Sequence, residues 1–209
     1  MRRLALFTLA LLALGAGTDW AHRIGTANII GNSSGVIYES LWIPADLIYP
    51  DADGGPNQCV RNAQAQVNSG PIWTTLTCDD SSSATMWFDF ELPQGYNGGA
   101  IFVKPVSYSI NATPSGSWAA NYGCAARQDA TVINATIGST INVSTAYSTQ
   151  YNIEIATTAT GATPNGVVGT GVVQHLYCKV NTLITSDALM TDVRIRGVMV
   201  EIPRNALTD

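Results

Sequence analysis

The sequence has 209 residues, 46% of them hydrophobic and only 12% charged, with a formal net charge of −5. That balance excludes a disordered chain, which would carry more charge and less apolar surface. It also excludes direct nucleic-acid contact, because no Lys/Arg cluster beyond Arg2 and Arg3 offers the phosphate-neutralising surface such binding needs.

Residues 1–17 read as a secretory leader: Arg2 and Arg3 give the positive start, residues 4–14 the apolar stretch and residues 15–17 a small-residue exit, with cleavage expected after Gly17. The competing reading is an ordinary buried strand, helix or N-terminal arm. The run is too short to span a bilayer comfortably and no later stretch matches it, so no stable membrane span is expected. Four cysteines, Cys59, Cys78, Cys124 and Cys178, are an even number behind an export signal, which predicts two disulfides rather than four separate buried thiols. Of the three pairings, Cys59 with Cys78 would tie neighbouring strands and Cys124 with Cys178 would link distant parts of the fold.

After a polar entry segment over residues 18–35, residues 36–43 mix β-branched and aromatic side chains and end at Pro44, as a strand does. The run 51–57, rich in Asp, Gly and Asn, breaks the chain. Strands are predicted at 58–66, 72–78, 84–92 and 100–110, each bounded by turn-forming residues. In the third of these, Met86, Phe88 and Phe90 alternate with Trp87, Asp89 and Glu91, which sends the first three inward and leaves Trp87 on the wet face. Further strands are expected at 117–127, 131–136, 151–157, 172–180 and 192–202. A single helical turn is expected over 185–190, and residues 136–149 are too polar to assign.

Nine or ten short strands with no helix of normal length predict an all-β protein: a two-sheet antiparallel sandwich of jelly-roll type, one domain over residues 36–204 with a tail at 205–209. One core suits a chain of this length. No fixed-period repeat is present, which argues against solenoids and propellers.

Three pieces stand in a recognisable order: Leu41-Trp42-Ile43-Pro44-Ala45, then Phe88-Asp89-Phe90-Glu91-Leu92-Pro93 followed by Tyr96-Asn97-Gly98-Gly99, then Asp192-Val193-Arg194-Ile195-Arg196-Gly197-Val198-Met199-Val200. Together, over roughly residues 42–202, they resemble small jelly-roll virion proteins of environmental and marine tailed phages. The resemblance implies a shared fold and a structural role. Its motifs are packing motifs, and it implies no catalytic residues.

No arrangement of residues reads as an enzyme active site. Asp51, Asp53 and Asn57 around Gly54 echo a calcium loop, but the closing bidentate Glu is missing and a solvated turn explains them as well. With only His22 and His175 there is no imidazole cluster for zinc, and a Ser-His-acid hydrolase would have to rely on His175. No cofactor is expected beyond that calcium option. Among Trp73, Trp87, Trp118, Tyr96, Tyr122 and Tyr151, the residues singled out for a sugar-stacking or contact surface are Trp87, Trp118 and Tyr122, since aromatic faces bury large area at little entropic cost. Core packing is the competing reading for most of them. Sequons at Asn32, Asn111, Asn134 and Asn142 matter only in a glycosylating host.

The first functional expectation is therefore a non-enzymatic virion subunit (capsid, capsid-decorating or fibre), partnering itself as a homo-oligomer and other virion proteins. The second is a secreted or cell-surface lectin or adhesin that binds glycans, which the leader and cysteines favour.

Overall fold

A computed structural model of the chain describes residues 29–31, 36–50, 59–65, 72–78, 83–93, 95–114, 116–127, 137, 140–166, 175–183 and 193–205. Twelve strands occur among them. They are β1 (Ile29–Gly31), β2 (Ile37–Pro44), β3 (Tyr49–Pro50), β4 (Cys59–Ala65), β5 (Ile72–Cys78), β6 (Thr85–Glu91), β7 (Phe102–Ser109), β8 (Gly116–Arg127), β9 (Ile141–Tyr147), β10 (Glu154–Ile155), β11 (His175–Thr182) and β12 (Val193–Arg204). A 3-10 turn, Ala45–Leu47, follows Pro44 and carries the chain from one sheet to the other.

The strands form two antiparallel sheets. In the five-stranded sheet the order is β3-β6-β11-β8-β9. In the seven-stranded sheet, β12 is central: β7 runs along one side of it and continues to β10, while β2 and β5 share the other side, β2 leading to β1 and β5 to β4.

Nested pairing defines the topology. β8 pairs β9, β7 pairs β10, β6 pairs β11 and β5 meets β12, so the chain from β5 to β12 is one long hairpin wrapped across two sheets, which is the jelly roll. β1 extends the sheet into the segment that the sequence assigned to a polar entry.

Period-two alternation builds the core. Met86, Phe88 and Phe90 of β6, Trp118, Tyr122 and Cys124 of β8, and Leu176, Cys178 and Val180 of β11 all point inward against Val198, Val200 and Ile202 of β12. Two polar contacts also cross this interior. The hydroxyls of Ser107 on β7 and Tyr147 on β9 lie 2.6 Å apart, joining the sheets, and Tyr122 donates to the carbonyl of Ile101 at 3.1 Å. Buried hydroxyls demand such partners.

After β10 the chain crosses from sheet to sheet and closes one side of the sandwich. Ala162 exchanges backbone hydrogen bonds with Ile101, Thr157 with Ser144, and Asn165 bonds to Cys124 and Ala126.

Gly197 sits where β2 ends and β12 bulges against β7. A Cβ there would collide with the carbonyl oxygen of Ile43 and fall 2.7 Å from the Trp42 ring, so only glycine lets the two backbones approach this closely.

Both disulfides form as paired in the sequence reading, and each joins residues directly opposite on adjacent strands. The Cys124–Cys178 bridge thus corrects one expectation: it spans 54 residues of sequence but only neighbouring strands of one sheet. The reason is the nested hairpin, which brings β8 beside β11.

The predicted strand at 151–157 contracts to β10 and an isolated bridge at Thr157, and the unassigned stretch 136–149 contains β9. The leader over 1–17, the strand at 131–136 and the helical turn at 185–190 lie outside the described residues.

Candidate functional site

Strand alternation sends one set of side chains from each sheet to its outer surface. On the five-stranded sheet these are Thr85, Trp87, Asp89 and Glu91 from β6, and His175, Tyr177, Lys179 and Asn181 from β11. β8 adds Asn121, whereas Gly123 and Ala125 of the same parity are buried.

Register places the aromatic groups side by side. Tyr49 of β3 stands opposite Trp87, and Trp87 opposite Lys179. Trp87 and Tyr177 have ring centroids 6.0 Å apart at 40°, a tilted pair. Tyr49 is 55% exposed and Trp87 partly so.

Cations hold this aromatic strip in place. The Lys179 ammonium lies 5.3 Å from the Trp87 ring centre, and the Arg61 guanidinium lies 5.8 Å from that of Tyr49. Arg61 also donates to the carbonyl of Ile48 at 2.6 Å, which ties its position to the turn that precedes Tyr49. Burial raises the pKa of the Tyr177 hydroxyl, so it stays a neutral donor and acceptor at physiological pH.

Beside the strip runs a ladder of amides. Thr85 donates to the Asn181 side-chain oxygen at 2.9 Å, and the Asn181 amide donates to Asn121 at 3.1 Å, linking three strands. On the other flank Asp89 and Glu91 are exposed, with His175 Nε2 3.4 Å from Glu91 Oε1. The face thus combines flat apolar rings with amide and carboxylate groups that accept or donate to hydroxyls.

The three predicted binding residues separate here. Trp87 lies on the outer face as its alternation requires. Trp118 and Tyr122 do not: at 1% and 0% exposure they are core residues, because their parity along β8 matches that of Cys124 and points inward. Tyr96 is likewise buried, whereas Trp73 on β5 of the opposite sheet and Tyr151 in the turn between β9 and β10 are exposed.

Tyr49 and Tyr177 escaped the sequence reading. Tyr177 was accessible to it, since Leu176, Cys178 and Val180 mark the inward parity of β11. Tyr49, on a two-residue strand beside Pro50, gave no periodic signal. His175, expected within an apolar strand, is exposed at the start of β11.

The calcium candidates Asp51, Asp53 and Asn57 lie outside the described residues. Among the described residues no group of three or more His, Cys, Asp or Glu side chains is placed to hold a metal ion, and no helix is long and apolar enough to cross a membrane.

No family model matches the chain, and no curated protein does. The phage resemblance therefore stands on sequence motifs alone. Among solved structures, a family 11 carbohydrate-binding module from Clostridium thermocellum, in complex with a beta-1,3-1,4-mixed-linked tetrasaccharide, is similar over 82% of this chain and 93% of its own. The identity is 6% and the TM-score 0.35. So distant a likeness carries no information about ligand, and the jelly roll stands on the strand pairing itself.

Proposed function

We propose that this chain is a non-catalytic, glycan-binding β-sandwich of an exported or surface protein, and that it holds neutral sugar residues on the outer face of its five-stranded sheet. The observation that carries this reading is the strip Tyr49, Trp87 and Tyr177 lying beside the Thr85–Asn181–Asn121 ladder.

A pyranose presents an apolar C–H face and a rim of hydroxyls. Exposed rings offer the first a flat surface at low entropic cost, and amides and carboxylates satisfy the second. The charges around the strip offset one another, Lys179 and Arg61 against Asp89 and Glu91, which suits uncharged sugars. Two formed disulfides fit an oxidising compartment, as export requires.

Affinity electrophoresis through gels containing neutral polysaccharides tests the reading. The wild type is retarded by at least one of them, and Trp87→Ala weakens that binding about 10-fold or more. Absence of retardation across the panel would end the proposal. Stoichiometric recovery of the chain in purified virus particles, without glycan binding, would instead place it among virion subunits.

A further inference from the structure

The outer face of the seven-stranded sheet carries a second aromatic strip, built around two arginines. β12 contributes Arg194, opposite Tyr108 of β7, and Arg196 at its bulge. Tyr108 lies 6.1 Å, centroid to centroid, from Tyr151, which is 45% exposed. On the other side the Arg196 guanidinium sits 3.9 Å from the ring centre of Trp73 on β5, itself 39% exposed. Two arginines are therefore flanked by aromatic rings across three neighbouring strands of one sheet.

Two other cations of this sheet are matched by carboxylates. Lys104 pairs with Glu201 at 2.6 Å and Arg204 with Glu39 at 2.5 Å. Arg196, by contrast, takes part in no salt bridge among the described residues, and its partner is an indole face. Stacking fixes the plane of a guanidinium while leaving its forked N–H edge to donate, and that edge matches the two oxygens of a carboxylate or sulfate. Both arginines act electrostatically on Tyr108, lowering its pKa against the larger upward push of burial.

We infer that the Trp73–Arg196–Arg194–Tyr108–Tyr151 strip is a second binding site, for the acidic groups of an anionic polysaccharide carrying uronate or sulfate. The inference takes the sugar nature of the ligand from the preceding reading but uses none of its residues. Local charge complementarity selects the ligand: although the chain is net negative, this strip concentrates cation among rings that can receive pyranose faces. Uronate and sulfate share the geometry the arginine fork recognises.

Isothermal titration of the full chain with polygalacturonate, with dextran sulfate and with neutral dextran as control, at low and at high salt, tests it. The expected result is binding to at least one polyanion that weakens with salt, falls about 10-fold or more in Arg194→Gln/Arg196→Gln, and survives in Trp87→Ala. The two polyanion arms tell uronate from sulfate. No binding to either polyanion, unchanged affinity in the double variant, or equal loss in Trp87→Ala would each overturn it. If the double variant loses its circular dichroism spectrum, Arg196→Lys is read instead. It keeps the charge but not the planar fork, so weakened binding supports the site and unchanged affinity overturns it. The neutral-polysaccharide gels report separately on the five-stranded face, so failure there leaves the titration readable.

Discussion

Trp87 and Trp118 belong to the same five-stranded sheet, on β6 and β8 with β11 between them, and they face opposite ways. One stands on the wet surface over a lysine ammonium. The other is sealed in the core with Tyr122 and the Cys124–Cys178 bridge. Composition cannot separate two tryptophans, but parity along the strand can, since each residue step flips the face. The comparison teaches that the inner side of this sheet holds the fold and the outer side is free to hold a ligand.

The largest expected effect lies on the inner side. Trp118→Ala empties the biggest buried side chain of β8 and should cost about 3–5 kcal/mol, read as a lowered midpoint in denaturant, whereas Trp87→Ala should shift that midpoint by less than about 1 kcal/mol. Equal losses in the two variants would break the distinction.

Removing the bridge behind them with Cys124→Ser/Cys178→Ser should cost about 2–5 kcal/mol. Loop entropy explains the cost: closing a 54-residue separation restricts the unfolded chain, although the folded strands are already neighbours. A thermal midpoint unchanged in the double serine variant would show that the bridge contributes little.

A smaller effect comes from pH. Burial pushes the Tyr96 hydroxyl up to about 12, and it donates to the carbonyl of Gly99 at 2.5 Å. The unfolded chain ionises first, near the ordinary tyrosine value, so between that value and about 12 the folded state binds more protons. The stability contributed is whole at neutral pH and is lost as pH rises through that window. Denaturation midpoints should therefore fall between pH 10 and 12 in the wild type and fall less steeply in Tyr96→Phe.

Much of the architecture was legible because burial writes itself into alternation. β6 was read residue by residue, and β5 to its ends. β9 was equally alternating, with Val143, Thr145 and Tyr147 buried between exposed Asn142, Ser144 and Ala146, but its Thr, Ser and Asn content hid the period. β12 could be recognised as a strand. Its place at the centre of a sheet, touching β2, β5 and β7, could not, since strand order depends on contacts far apart in sequence. The same limit governed the site. Trp87 was found from its own strand, whereas its alignment with Tyr49 and Tyr177 follows from pairings that no local pattern encodes.

The most direct test of the central claim compares Trp87→Ala with Trp118→Phe in neutral-glycan binding, both against wild type and both checked for folding. The account predicts that the core substitution retains binding while the surface one loses it about 10-fold or more. Wild-type binding that Trp87→Ala leaves intact would contradict it.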